Sequence, residues 1–231
     1  MQDKKYKYRV ETHLHTSQVS ACALNTGAEM ARFFKSDGFC AIVVTDHFFN
    51  GNTAIRGNYP WDDKITMFMR GYKDAKQEGG KIGIDVYFGF EYAYRGAEFL
   101  IYNYGEEKLR AYPEIMTDAI ETVLTNIRNG GGFIIHAHPF RTAPYIQDPN
   151  RIFPEYIDAV EVVNVHNDKE ANRRAYDYAQ FFNLIKFSGS DTHSTDLYEG
   201  GLAFPRCPRS LDDIIEMARN EEYIILGDQY L

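Results

Sequence analysis

The chain has 231 residues, of which 44% are apolar and 25% charged, and its formal net charge is −8. This composition is typical of a globular protein and excludes a largely disordered chain, and the length is ordinary for one α/β barrel. The negative charge offers no basic surface for a nucleic-acid backbone. We expect a single domain over residues 1–231 with a substantial apolar core.

Short apolar runs alternate along the chain with stretches compatible with helices. The runs are rich in Val, Ile, Phe and Tyr and are bounded by Gly, Asp or Asn, as strands are. Seven strands are predicted, at residues 6–14, 39–45, 85–92, 98–102, 132–137, 159–165 and 185–188. Five helices are predicted, at residues 26–36, 64–78, 112–129, 170–182 and 210–220. Such alternation favours parallel strands with helices outside them, and residues 50–63 form the main irregular segment.

The cysteines and the hydropathy pattern bear on the cellular compartment. Cys22, Cys40 and Cys207 are odd in number and widely spaced, so they predict neither a disulfide framework nor a CxxC zinc pair. A reducing compartment fits best. We find no signal-peptide core and no apolar run of the roughly 20 residues that span a bilayer. The expectation is a cytoplasmic protein that does not contact membranes.

All seven histidines lie at or just past the C-terminal end of a predicted strand. If the strands are parallel in a barrel, these ends share one rim, where the active sites of such folds lie. His13 and His15 alternate along a strand, so both side chains point to the same side and form half of a metal site. We therefore predict a shared metal site rather than unconnected structural histidines. The seven are His13, His15, His47, His136, His138, His166 and His193.

Carboxylates accompany these histidines. Glu91 ends a predicted strand, Asp191 stands two residues before His193, and Asp46 directly precedes His47. Imidazole and carboxylate together, without thiolate, suit Zn, Mn or Fe in an open catalytic site better than structural zinc. We interpret Asp46 as a hydrogen-bond acceptor for a metal-binding histidine rather than as a ligand itself.

Five ordered motifs between residues 12 and 193 resemble those of the PHP (polymerase and histidinol phosphatase) family. They read Thr-His-Leu-His-Thr-Ser at 12–17, Val-Thr-Asp-His at 44–47, Gly-Phe-Glu at 89–91, His-Ala-His-Pro at 136–139 and Ser-Asp-Thr-His at 190–193. The resemblance implies a distorted (β/α)7 barrel, similar to a TIM barrel, with two or three divalent metal ions at the strand C-termini. It implies hydrolysis of phosphate esters, or an exonuclease role within DNA polymerases.

The resemblance also implies roles for individual residues. Glu91 corresponds to the carboxylate that bridges two metals. Arg141, three residues after His138, resembles an arginine whose planar donors suit a substrate phosphate. Asp191 or His193 is the candidate to protonate the leaving alcohol. The implied metal ligands are His13, His15, His47, Glu91, His138, Asp191 and His193.

The sequence departs from the family pattern in two places. Residues 18–22, where many members carry a His or Asp ligand, offer no strong ligand for a hard metal. The metal held by His47 and His193 would then lack one protein ligand. Glu98 stands about where many members have a histidine, and it either binds metal or is a strand-end acid. His136 is expected beside the site or at its rim, and His166 either contacts substrate or has no role.

Metal-dependent hydrolysis of a small phosphomonoester or nucleotide-type substrate is the leading hypothesis. A hydroxide bridging two cations would attack phosphorus while Arg141 neutralises developing charge. A nuclease for short oligonucleotides is an alternative that the net charge disfavours, and a non-catalytic metal-binding regulatory protein is a third. For six aromatic residues near the motif strands, core packing is favoured over lining the pocket. They are Phe48, Phe49, Tyr59, Trp61, Tyr92 and Tyr145.

Overall fold

A computed structural model describes residues 5–144, 146, 148, 150–196 and 199–231. Nine strands of this part of the chain belong to one sheet. They are β1 (Tyr8–Leu14), β2 (Phe39–Val44), β3 (Asp85–Tyr94), β4 (Ala97–Tyr102), β5 (Phe133–Ala137), β6 (Ala159–Asn164), β7 (Ile185–Gly189), β8 (Leu202–Phe204) and β9 (Ile224–Ile225). The seven predicted strands are confirmed with small shifts of their ends, and β8 and β9 are additional to the prediction.

The sheet mixes parallel and antiparallel pairs, in the order β7-β6-β5-β4-β3-β2-β1-β8-β9. The prediction of parallel strands holds for β1–β3 and for β5–β7 and is wrong for β4, which is antiparallel to both its neighbours. The cause is local, because Arg95 and Gly96 both have positive φ and close a tight hairpin between β3 and β4. Such a short connection cannot cross over to a parallel strand.

The sheet curls until its first and seventh strands meet. A parallel bridge joins Leu14, at the end of β1, to Thr192, which follows β7. The result is a nearly closed, barrel-like sheet of nine strands, in which β8 pairs antiparallel with β1 and β9 pairs antiparallel with β8. The C-terminal ends of the parallel strands and the beginning of β4 therefore lie at one rim.

Helices connect many of the strands, but two predicted helices have wrong bounds. The segment predicted as 64–78 consists of two helices that meet at Met69, and the second passes through Gly79 and Gly80 before ending at Gly83. Pro113 begins a 3-10 turn, so the helix predicted from 112 starts later. The helices are α1 (Gly27–Ser36), α2 (Trp61–Phe68), α3 (Arg70–Ile82), α4 (Glu106–Arg110), α5 (Ile120–Asn129), α6 (Lys169–Phe181) and α7 (Leu211–Arg219). Among the described residues, no helix has the length and apolarity needed to cross a membrane.

One apolar cluster fills the barrel below the histidine-bearing rim. It joins buried side chains of seven strands, among them Val10, Leu100 and Phe187, to the apolar face of α7. The Nδ2 of Asn103, which follows β4, donates to Asp212 of α7 at 2.5 Å. β4 is antiparallel to its neighbours, so its C-terminal end lies where the parallel strands begin. The contact between Asn103 and Asp212 therefore places α7 at that end of the sheet. The opposite end is left for polar side chains.

Cys40 of β2 and Cys207, in the loop before α7, form a disulfide across 167 residues. The prediction that the cysteines do not pair is therefore wrong. The two cysteines are far apart in the sequence. β1 pairs with β2 on one side and with β8 on the other, so the loop that follows β8 can bring Cys207 to Cys40 of β2. Cys22 remains a free thiol. A disulfide does not fit the reducing compartment that the cysteine count favoured.

Candidate metal centre

The two histidines of the first motif lie at the end of β1 with their rings turned inward. Both are fully buried, and their Nε2 atoms are 3.2 Å apart. The Nδ1 of His13 lies 2.9 Å from Oε1 of Glu161, and the Nδ1 of His15 lies 3.1 Å from Oγ of Ser20. The carboxylate can only accept, so Nδ1 of His13 carries its hydrogen, and Nε2 faces Glu91 and Asp191. Burial would lower the pKa of His13, but Asp191, Glu161 and Glu91 raise it well above its ordinary value.

A hydrogen-bonded chain fixes the same tautomer for His15. The Oγ of Ser20 donates to Oδ1 of Asp46 at 2.7 Å, so it accepts from Nδ1 of His15. Asp46 also accepts from the backbone N and the Oγ1 of Thr16, at 2.6 and 2.7 Å. Asp46 therefore holds the His15 ring in place through Ser20, as a carboxylate does behind a metal-binding histidine. Burial raises the pKa of Asp46 to about 6, against these hydrogen bonds.

Glu91 of β3 joins several histidines around one carboxylate. Its Oε1 lies 3.0 Å from Nε2 of His138 and 3.4 Å from Nε2 of His13, and its Oε2 lies 2.6 Å from Nδ1 of His47. Burial would raise the pKa of Glu91, but the neighbouring His47 and His13 hold it well below its usual value. A charged carboxylate with its two oxygens facing different imidazoles has the form of a bridging ligand.

Asp191 closes the cluster from the segment after β7. Its Oδ1 lies 3.3 Å from Nε2 of His13 and 3.2 Å from Nε2 of His15. Its Oδ2 accepts from Nη2 of Arg141 at 2.8 Å and from Nδ2 of Asn164 at 3.3 Å. Burial opposes ionisation, yet His13, His15 and Arg141 keep the pKa of Asp191 well below its ordinary value. The backbone of Asp191 has φ 52°, a strained conformation found most often at functional sites.

The outer part of the cluster is formed by His47 and His193 with Cys22 and Glu98. Cys22 lines the same pocket as His193 and His47, and these two imidazoles lower the pKa of its thiol to about 6 against the effect of burial. The Nδ1 of His193 lies 2.8 Å from the carbonyl oxygen of Asp191, so that nitrogen donates and Nε2 carries the lone pair. Glu98, at the start of β4, lies 3.4 Å from Nε2 of His138, and burial raises its pKa to about 7.

These donors fit divalent cations. Nε2 of His13 and Nε2 of His15 are 3.2 Å apart, and Oδ1 of Asp191 stands within 3.3 Å of each. Buried carboxylates and imidazoles this close need positive charge among them, and imidazole with carboxylate suits Zn, Mn or Fe. Four groups have ligand atoms within 4.8 Å of one another: His13-His15-Glu91, His13-His138-Asp191, His47-Glu91-Glu98 and His15-His47-His193.

Comparison with known proteins gives a fold likeness. A two-domain protein of Bacteroides vulgatus containing a predicted PHP-like metal-dependent phosphoesterase matches 96% of this chain at TM-score 0.69 and 16% identity. This chain has a PHP-like fold. It spans 65% of the length of that protein, and at such low identity the likeness concerns the fold alone.

Two further solved structures match almost the whole chain. A proposed metal-dependent phosphoesterase of Bifidobacterium adolescentis covers 92% of this chain and 96% of its own length, at TM-score 0.57 and 14% identity. An amidohydrolase of Chromobacterium violaceum with bound sulfate and no metal covers 96% and 99%, at TM-score 0.52 and 13% identity. No family model matches the sequence, and no curated protein matches it.

Two buried acids that support the PHP-like barrel's rim were not among the expected site residues. One oxygen of Glu161 in β6 accepts a hydrogen bond from Nδ1 of His13. Its other oxygen accepts from the backbone N of His138 at 2.8 Å and from Nδ2 of Asn164 at 3.0 Å. Glu11 of β1 accepts from the backbone N of His13 at 2.8 Å and of Ser190 at 3.0 Å. For Glu161 the available signal was an acid inside the apolar run of β6, where an unpaired charge is costly.

His136 is not beside the site or at its rim, which corrects the expectation. It is buried on the outer side of β5, with its ring 5.2 Å from that of Phe99 and 5.8 Å from that of Phe153. Strand alternation would put His136 and His138 on one side, but His138 has φ 28° and leaves the strand geometry there. Burial lowers the pKa of His136 to about 3.

A pocket of about 530 Å³ opens above the cluster. Arg141 lines it, although its Nε and Nη2 already donate to Asn167 and Asn164 at 2.9 and 2.8 Å. Arg95, on the β3–β4 turn, also lines it and has no motif to mark it in the sequence. The exposed His166 is not among the described residues that line this pocket.

The aromatic residues near the motif strands mostly serve the core. Phe48 and Tyr92 are buried there, and Phe49 and Trp61 pack against the same cluster. Tyr59 is exposed. None of these five lines the pocket above the cluster. Tyr145 lies outside the residues that the structure describes.

Proposed function

We propose that this protein is a metal-dependent hydrolase that cleaves a small phosphate ester at the rim of the barrel. The observation that carries the proposal is the close approach of Nε2 of His13 and Nε2 of His15, 3.2 Å apart, with Oδ1 of Asp191 within 3.3 Å of both. Hydrogen bonds behind each ring fix that arrangement, as second partners fix metal-binding histidines. The names of two structural neighbours, metal-dependent phosphoesterases, agree with it.

We assign two or three cations to this cluster. His13, His15, Glu91 and Asp191 would hold one, and Glu91 with His138 and Glu98 a second. A third would take His47 and His193. Zn, Mn or Fe fit these donors, and such ions supply Lewis acidity and a water of lowered pKa at neutral pH.

The chain's own residues orient the substrate. Arg141 and Arg95 line the pocket and attract an anion, which favours a phosphate ester over the uncharged amide of an amidohydrolase substrate. Both oxygens of Asp191 face other groups, and Nε2 of His193 is a lone pair, so neither is arranged to give up a proton. We therefore assign ligand roles to both, and solvent in the pocket protonates the leaving alcohol.

No feature of the described residues favours the nuclease or the regulatory protein. A net charge of −8 works against a polynucleotide. We further propose that residues 1–231 act as one domain and that β1–β7 are the seven strands of a distorted (β/α)7 barrel. The cytoplasm stays our proposal for the location of this chain, although the disulfide between Cys40 and Cys207 weighs against it.

The test compares hydrolysis of a phosphomonoester, a phosphodiester, an N-acyl amide and a single-stranded oligonucleotide by protein loaded with Zn, Mn or Fe. We expect turnover of the small phosphate ester, and loss of both turnover and bound metal when His13 and His15 are replaced by Gln together. His166→Gln is the matched control and should keep its metal. Full metal content with no turnover of any phosphate ester would contradict the proposal and favour a binding protein.

A further inference from the structure

Cys22 lies at the edge of the pocket between two histidines of the outer cluster. Cys22, His47 and His193 line this pocket together, and the two imidazoles lower the pKa of the thiol against the effect of burial. It is a free thiol, unlike Cys40 and Cys207, which are paired with each other. A sulfur in contact with two imidazoles that face one pocket has the arrangement of a Cys-His-His ligand set.

The backbone around Cys22 is fixed to the two segments that carry these histidines. The N–H of Ala21 donates to the carbonyl of Asn52 at 2.8 Å, and the N–H of Leu24 donates to the carbonyl of His193 at 2.7 Å. Asn52 belongs to the loop that follows His47. The thiol is therefore held at its position from both sides, as a ligand position requires.

A second observation, independent of Cys22, indicates that a cation binds at the same place. The side chain of His47 is nine-tenths buried, and its Nδ1 makes no hydrogen bond. That nitrogen stands 2.6 Å from Oε2 of Glu91, another buried atom without hydrogen-bond geometry to any partner. Nε2 of His193 is also a lone pair, because Nδ1 of that ring donates to the carbonyl of Asp191. Buried ligand atoms that face each other without a hydrogen bond, as Nδ1 of His47 and Oε2 of Glu91 do, are expected where a cation binds.

We propose that Cys22 is a thiolate ligand, with His47 and His193, of the outermost cation of this centre. The inference rests on the proposed function only in that it concerns the same group of cations. On binding, the thiol gives its proton to solvent and the sulfur bonds the metal. One thiolate and two imidazoles favour zinc or another thiophilic ion over manganese or magnesium at this position. The segment 18–22 thus supplies a soft ligand where a hard one is lacking.

Cobalt(II) provides a direct readout that does not depend on activity. The purified full-length chain is freed of metal, titrated with Co²⁺, and followed by absorption for a sulfur-to-cobalt charge-transfer band in the near ultraviolet. We expect the band in the wild type, its loss in Cys22→Ser, and about one equivalent less bound cobalt in that variant. The wild-type thiol should also react about tenfold more slowly with an alkylating agent once the metal is bound.

The outcomes separate this inference from the phosphoesterase proposal. Bound cobalt without the band, or a thiol alkylated equally fast with and without metal, would overturn the Cys22 assignment even if phosphate esters are hydrolysed. A band that is present while no ester is turned over would support Cys22 and contradict the proposed function. His47→Gln keeps the Cys22 thiol but removes one proposed imidazole ligand, so it should weaken the charge-transfer band. An unchanged band in this variant would also contradict the Cys22-His47-His193 site.

Discussion

Replacing Glu161 by Gln tests whether the residues behind the histidines set the metal affinity. The carboxylate takes three hydrogen bonds, from Nδ1 of His13, the backbone N of His138 and Nδ2 of Asn164. A glutamine has one accepting end and one donating end, so at least one of these buried donors meets another donor. The change keeps the volume of the side chain and removes its charge.

The orientation that loses the fewest bonds turns the new amide nitrogen of E161Q towards His13. Nδ1 of His13 must then accept, so its hydrogen moves to Nε2, the atom that faces Glu91 and Asp191. Changes to such supporting partners typically cost about 10–100-fold in metal affinity. This corresponds to about 1.4–2.7 kcal/mol of binding free energy.

Metal affinity is measured by competition with a chromogenic chelator, with circular dichroism to show that the variant is folded. Glu170→Gln is the matched control, because Glu170 is an exposed residue that pairs with Arg173 at the surface. It should bind metal as the wild type does. The reasoning is refuted if folded E161Q binds within about twofold of the wild type, since the supporting carboxylate would then be dispensable.

Two further changes probe the fold. The pKa of His136 is about 3, below its unfolded value, so stability should fall as the pH drops from about 6.5 towards 3, by about 4 kcal/mol in all. His136→Phe should weaken the pH dependence of the free energy of unfolding, measured in urea from pH 6 to pH 4, by the equivalent of about one proton taken up on unfolding. An unchanged pH dependence would contradict the burial argument. Reducing the disulfide between Cys40 and Cys207 should cost about 2–4 kcal/mol in thermal unfolding while leaving bound metal unchanged; equal melting temperatures with and without reductant would refute this.

Local patterns in the sequence were sufficient for the main strands. β2 and β6 are continuous apolar runs between turn residues, which is the pattern of strands buried on both faces. β8 and β9 have only three and two residues, too few for any periodicity to show. The direction of β4 depends on the tight turn at Arg95 and Gly96, where only the glycine marks a turn and an arginine with positive φ cannot be recognised.

The candidate site was predictable where a ligand follows from strand alternation or strand ends. His13 and His15 point inward together because two residues on one strand share a face. His136 fails the same rule, since the backbone turns at His138 and separates the pair. Cys22 gave no usable signal, and Glu161 stood out only as an acid inside an apolar strand, because the roles of both depend on which segments meet in space. The disulfide was missed for the same reason.

The central claim is that these imidazoles and carboxylates bind cations together at one rim of the barrel. Anomalous diffraction at the metal absorption edges, from crystals of metal-saturated protein, tests it most directly. The account predicts peaks about 2.0–2.2 Å from Nε2 of His13, Nε2 of His15 and a carboxylate oxygen of Glu91 or Asp191. A metal-saturated crystal with no anomalous peak among these atoms, or with its peaks elsewhere on the protein, would contradict it.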